Sequence, residues 1–238
     1  MIDPYITAHN QALQSKFVKH NYFYPKTEPL KYLHFRLLRP FLKLYQKQLL
    51  KKWRNSPIPW MTPAAIDILQ TLLTKNMSGF EFGSGRSTLF IAPRVKELVS
   101  LEHDQQWFAH IEAELKKKKL GNVHYVHILP ANDASKTIGY PKNNYENYVM
   151  PATPATCYTA YYSYIDQYPD ASFDFIIVDG RARVECAQHA IPKLKPGGML
   201  ILDNAERVRY RAIHEQLKEW KKVFTTSGIT DTVFWFKL

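Results

Sequence analysis

Cysteine is scarce in this sequence. Only Cys157 and Cys186 occur in 238 residues, with no C-x-x-C pair and no Cys/His cluster. A disulfide scaffold and a zinc ribbon are both disfavoured, and a reducing compartment is expected. No apolar run approaches the length of a membrane span. The opening residues, MIDPYITAHNQ, are polar and lack the apolar core of a secretory signal. The expectation is a cytoplasmic protein, peripheral to a membrane if it meets one. There are no internal repeats and no long low-complexity segment. With 45% hydrophobic and 22% charged residues, the composition is that of an ordinary globular chain.

Acidic residues are missing from one long stretch. Residues 30–54, LKYLHFRLLRPFLKLYQKQLLKKWR, hold Lys or Arg at 31, 36, 39, 43, 47, 51, 52 and 54 and no Asp or Glu. Apolar positions 33, 37, 41, 44 and 45 recur at helical spacing. Pro40 predicts a break or kink, hence a pair of helices. Such a segment suits an anionic membrane surface or a partner, or packs on a core with its basic face in water. The net charge of +11 favours acidic partners: phosphates, nucleic acid or anionic lipid. Asn55-Ser56-Pro57-Ile58-Pro59 reads as a linker. It divides a basic helical extension, residues 1–56, from a main domain, residues 57–238.

The main domain alternates helix and strand. Thr62-Pro63 opens a helix running to about Lys75, with Thr as N-cap and Pro in the first turn. Phe80–Phe82 is a strand, VKELVSL (95–101) a second, and 123–129 a third. Between the second and third, a helix closes on Lys116–Lys119 as a solvated basic end. Residues 130–156 read as a long loop and 157–168 as a helix. FDFIIV (173–178) is apolar throughout, as a strand buried on both faces is. A helix over 184–194, a turn at Lys195-Pro196-Gly197-Gly198, a strand over 199–202 and a helix over 208–221 follow. Runs around 223–225 and 232–236, separated by Ser227-Gly228, predict an antiparallel pair. The fold class is α/β: a doubly wound, mostly parallel sheet with a C-terminal antiparallel hairpin.

In such sheets ligands bind at the carboxyl ends of the strands. Those ends carry Gly83 and Gly85, then Glu102, Asp179, and Asp203 with Asn204. Glycines after a buried strand let a ligand lie against the backbone. Glu102, 21 positions after Glu81 (102 − 81), is placed to accept ribose hydroxyls. An adenosine-bearing cofactor is expected. The dinucleotide fingerprint needs a third glycine, where Thr88 stands, so the nicotinamide reading fails.

EFGSGRST, followed by LVSLEHD and FDFIIVDG, resembles the class I S-adenosylmethionine-dependent methyltransferases, a Rossmann-like family. KPGGMLILDN is similar to that family's turn and fifth strand. The resemblance covers residues 57–238 and implies a seven-stranded sheet. It implies S-adenosylmethionine (SAM) as cofactor. Glu81, Gly83, Ser84 and Gly85 would hold the methionine and ribose, and Ser87 and Thr88 would stand at the following helix N-terminus. Glu102 would take the ribose hydroxyls, His103 an adenine face, and Asp179 would lie beside the sulfonium as the catalytic residue.

Hydroxyl acceptors need a base or a metal that lowers their pKa. Asp179, Asp203 and Asn204 are oxygen donors suited to Mg²⁺ and resemble the triad of catechol-type O-methyltransferases. Those enzymes carry a lysine where Ala182 stands here. Arg181, Arg183 and Arg207, with Asn204, are the candidate acceptor-binding residues. Arginine forks suit an anionic small molecule, or pair locally with Glu185 and Glu206. O-methylation of a small or anionic hydroxyl-bearing acceptor is therefore expected. An RNA 2′-O-methyltransferase and a non-catalytic surface-binding protein are the alternatives. Nucleic acid ranks lower as a partner because Asp179-Gly180-Arg181-Ala182 is unlike the Asn/Asp-Pro-Pro-aromatic motif of base methyltransferases.

Overall fold

A computed structural model describes residues 3–15, 29–52, 56–131, 138–141 and 149–238. Its strands are β1 (Ser78–Phe82), β2 (Glu97–Glu102), β3 (Val123–His127), β4 (Ile138–Pro141), β5 (Val149–Ala152), β6 (Phe173–Val178), β7 (Leu194–Asp203), β8 (Lys221–Thr226) and β9 (Asp231–Phe236). The helices are α1 (Pro4–Leu13), α2 (Pro29–Lys52), α3 (Pro63–Leu72), α4 (Arg86–Ile91), α5 (Gln105–Lys117), α6 (Thr159–Ser163), α7 (Arg183–Lys193) and α8 (Arg211–Gln216).

Seven strands form one sheet in the order β3-β2-β1-β6-β7-β9-β8. The pairs from β3 through β7 are parallel, and β9 runs antiparallel to both β7 and β8. The chain winds outward from β1 to β3, then crosses back to lay β6 on the other side of β1. The crevice at that reversal is where doubly wound sheets bind ligands. The expected seven-stranded architecture and its C-terminal hairpin are present.

Alternation sorts β6 between two cores. Ile176 and Val178 face one cluster with Tyr161, Cys186 and Ile213, while Phe175 and Ile177 face another with Ile68, Leu69 and Ile91. A strand covered on both faces has no position for a polar residue, which is why FDFIIV is almost wholly apolar. Cys157 and Cys186 are free, buried thiols. Thr62 caps α3 as its sequence predicts, its hydroxyl accepting from the Ala65 N–H at 3.3 Å.

The first helix belongs to the second core. Ala8 is fully buried there, Tyr5 stands edge-on to Phe236 with centroids 5.7 Å apart, and α1 rests on α3 and β8.

Several boundaries differ from expectation. α2 is one continuous helix through Pro40, not a pair. Proline removes a single main-chain hydrogen bond, and the remaining turns of a 24-residue helix carry it. Within the expected loop, β4 and β5 pair as an antiparallel hairpin, and residues 132–137 and 142–148 lie outside the described ones. The expected 157–168 helix is three short pieces: 3-10 turns at Ala155–Tyr158 and Tyr164–Gln167 flank α6. Its threonine and tyrosines are weak helix formers. The turn at 195–198 is a bulge inside β7. Leu194 pairs with Phe173 and Met199 with Phe175, so the extra residues loop out at Gly197, φ +75°. α8 stops at Gln216 because β8 begins pairing with β9 at Lys221.

Candidate functional site

The glycine turn after β1 is built by close packing of two main chains. Gly83 has φ +94°, and a Cβ there would lie 2.5 Å from the Gly180 nitrogen. Only glycine satisfies both demands. Gly180 is confined in turn, since a Cβ there would lie 2.2 Å from the Tyr161 hydroxyl and 3.1 Å from the Gly83 nitrogen. The Gly83 N–H donates to Leu101 O at 3.0 Å and the Asp179 N–H to Phe82 O at 2.9 Å. The ends of β2, β1 and β6 are thereby held level.

Glu81 works beneath this turn. It is fully buried and accepts from Thr88 Oγ1 at 2.5 Å and Ser100 Oγ at 2.6 Å. Thr88 Oγ1 in turn accepts the Gly85 N–H at 2.9 Å. Burial pushes the Glu81 carboxyl up to about 7, against the pull of hydrogen bonds from Ser100, Ser87 and Thr88.

Glu102, closing β2, is also buried but better supplied. The Ser84 N–H and hydroxyl donate to Oε2 at 3.2 and 2.8 Å, and the His103 and Asp104 N–H groups to Oε1 at 2.8 and 2.9 Å. His103 Nδ1 also lies 2.8 Å from Oε1. Burial alone would raise Glu102, but His103, the Asp104 N–H and Ser84 outweigh it and hold the carboxyl below its ordinary value. Glu102 therefore stays ionised as an acceptor.

A cavity of about 640 Å³ opens over this edge of the sheet. Gly83, Ser84, Glu102 and His103 line it, together with Asp179, Arg181, Arg183 and Arg207. Glu81, Gly85, Ser87 and Thr88, expected at the cofactor, do not line it. They form the layer below, where Glu81 and Thr88 brace the turn.

Trp107, Tyr158 and Arg209 also line the cavity, and the first was not singled out in the sequence. Trp107 donates from Nε1 to Ser84 O at 3.0 Å, and its ring would be 3.6 Å from a Cβ on Gly85. Tyr158 packs edge-on to His103, centroids 5.7 Å apart. Arg209 lies over the Tyr210 ring at 5.1 Å. An aromatic in the first turn of α5, three residues after its N-cap Asp104, is the one local sign of the first.

Arg183 is not a free acceptor-binding cation. It is buried, and its Nη2 reaches Asp179 Oδ1 at 2.8 Å and Asp179 O at 2.5 Å. Nε donates to Gly180 O at 3.0 Å and Nη1 to Asp203 O. Asp179 keeps 31% exposure toward the cavity, yet the packed strand ends raise its carboxyl above the ordinary value, with Arg183 opposing. Burial, and then the Asp179 carboxylate, raise Asp203 too.

This arrangement lends the Mg²⁺ expectation no support. Asp203 Oδ1 accepts from Thr232 Oγ1 at 2.8 Å, and a buried guanidinium bridges the Asp179 and Asp203 strand ends. That fixed charge weakens the pull of the carboxylates on a divalent cation. Among the described residues no group of three or more His, Cys, Asp or Glu could hold a metal ion. Asn204, expected at the acceptor, instead lines a second cavity of about 260 Å³ with Asp179, Asp203, Trp60 and, from α2, Gln46 and Leu49.

Arg181 donates from Nε to His103 Nε2 at 3.3 Å, both residues lining the same cavity. Arg207 Nε lies 3.8 Å from Glu206 Oε1, so the local pairing anticipated for it is present but loose. Burial raises Glu206 to about 7.

No protein-family model and no curated protein matches the chain. Solved structures do. An O-methyltransferase from Bacillus cereus, in complex with SAH, aligns with TM-score 0.55 at 16% identity, covering 81% of this chain and 90% of that one. A putative caffeoyl-CoA O-methyltransferase from Staphylococcus aureus aligns at 0.53 and 13%, covering 87% and 100%. A methyltransferase-like protein from Silicibacter pomeroyi aligns at 0.51 and 21%, covering 75% and 88%. The fold is that of the class I S-adenosylmethionine-dependent methyltransferases.

Proposed function

We propose that the protein binds SAM in the cavity over the strand ends and transfers its methyl group to a hydroxyl of a small, anionic acceptor. The carrying observation is the cavity itself. A glycine turn, an ionised carboxylate and a second carboxylate among arginines line one cavity. Its volume is that of ordinary small-molecule sites. The B. cereus neighbour, with SAH in its structure, supports the cofactor reading.

The residues fit the cofactor chemically. Glu102 is a pre-oriented acceptor for a vicinal diol, and Gly83 leaves main chain open to contact. Trp107 and His103 offer ring faces beside it. When bound, SAM supplies a sulfonium methyl already activated for in-line displacement.

The chain's own contribution is alignment and proton removal. Asp179 borders the cavity with a carboxyl made more basic by burial. It is the group placed to accept the acceptor's hydroxyl proton. Arg183 fixes the Asp179 rotamer and keeps part of its charge compensated. Arg181, Arg207 and Arg209 supply positive charge around the acceptor end, which favours carboxylate or phosphate there.

Calorimetric titration with SAM and with NAD tests the reading. Binding of SAM alone is expected. NAD binding without SAM binding would overturn it.

A further inference from the structure

α2 carries an apolar stripe that nothing in the described structure covers. Leu30, Leu33, Leu37, Phe41 and Leu44 are each between 56% and 81% exposed. At 3.6 residues per turn they fall within about 40° of Leu37, a single line about 20 Å long. Arg36, Lys43 and Lys47, all exposed, follow one flank of the line at about 80–120°. No acidic residue occurs anywhere in the helix.

The opposite face is accounted for. Leu42 packs on the β8–β9 turn, where a Cβ on Gly228 would lie 3.0 Å from Leu42 Cδ1. Gln46 and Leu49 wall the smaller cavity beside Asp179 and Asn204. The helix is thus seated on the protein by one side and presents leucine and phenylalanine to water on the other.

We propose that α2 lies flat on an anionic lipid bilayer, its leucine and phenylalanine stripe in the acyl boundary and its basic flank among the headgroups. An apolar centre with cations at its margin suits a membrane interface. A nucleic-acid site would place the cations at the centre of contact. A second copy of this helix would bring like charges together. No helix among the described residues is long and apolar enough to cross a membrane, so α2 is a surface element. Docked so, it holds the smaller cavity, walled by its Gln46 and Leu49, on its protein-facing side. The proposal is independent of the methyl-transfer reading, because partition is measured without cofactor or acceptor.

The test is co-flotation of the full chain with phosphatidylcholine vesicles, with and without phosphatidylserine. The protein is expected to float with the anionic vesicles and to remain behind with phosphatidylcholine alone. Leu37→Glu/Phe41→Glu should abolish flotation. Arg36→Gln/Lys43→Gln/Lys47→Gln should lower partition about a hundredfold, at roughly fivefold per basic residue. Both should melt with the parent, since the altered side chains are exposed. If either melts lower, a salt titration of the parent decides, because flotation through this face must weaken as salt rises. No flotation of the parent with anionic vesicles overturns the proposal, as does flotation of Leu37→Glu/Phe41→Glu at the parent's level. A parent dimer that this variant splits, without vesicle binding, would assign the stripe to a second copy. RNA binding lost only in the glutamine variant, again without flotation, would assign the flank to nucleic acid. Either result overturns it as well.

Discussion

Arg183 Nη2 lies 2.8 Å from Asp179 Oδ1, and the same guanidinium bonds main-chain oxygens of Asp179, Gly180 and Asp203. One side chain therefore ties the ends of β6 and β7 and orients the carboxylate between them. Arg183→Met should lower stability by about 3 kcal/mol, the cost of leaving a buried partner uncompensated. Arg183→Lys should recover little of it, since an ammonium cannot make the planar fork. Urea unfolding of the three proteins measures both. A lysine variant as stable as the parent would show that charge alone suffices.

Asp179→Asn should cut turnover by roughly a hundredfold or more, as loss of a general base does. SAM affinity should change little. Chelation with EDTA should leave the parent's turnover intact, because a buried guanidinium already compensates the Asp179 carboxylate. Activity abolished by EDTA and restored by Mg²⁺ would reinstate the metal.

Glu102→Ala should weaken SAM binding by about 1–3 kcal/mol, the range for a charge-assisted hydrogen bond left unmade. Calorimetry checks it, with a thermal melt alongside because Ser84, His103 and Asp104 also lean on this carboxylate. Affinity equal to the parent's would remove Glu102 from the cofactor site.

Glu81 predicts a pH effect of defined sign. Its folded pKa, about 7, is above the ordinary 4.5, so the folded state holds the proton more tightly. The associated stability is present below pH 4.5 and lost as pH rises toward 7, by on the order of 3 kcal/mol. Glu206, raised in the same direction, adds to the fall. Glu81→Gln should flatten much of the decline measured by urea unfolding across that range. An unchanged slope would mean the carboxyl is already ionised at low pH, hydrogen-bonded by Thr88 and Ser100.

The parallel sheet was legible because burial on both faces leaves an unmistakable pattern in Phe173–Val178. The strand-end set of Gly83, Glu102, Asp179 and Asp203 was legible because topology sends every parallel strand to the same edge. The partnership of Arg183 was not. Its choice between a substrate and Asp179 depends on which way one helix turn faces after Ala182, a residue with φ +46°. Trp107 was hidden because nothing near it in sequence shows that the Ser84 carbonyl lies within reach. Pro40 misled: a helix held along one face tolerates the bond that proline deletes.

The seating of α1 carries a consequence for synthesis. Asp3 meets Lys221 at 3.4 Å across 218 positions of chain, and Ala8 is buried against elements that include β8. At 5–20 residues per second, this first helix waits roughly 10–40 s before the strand that completes its site has even been translated. During that interval its apolar side must remain solvated, or be shielded by a chaperone. The seating of α1 is therefore a late step of folding that cannot precede the synthesis of β8, whatever the earlier strands achieve on the ribosome.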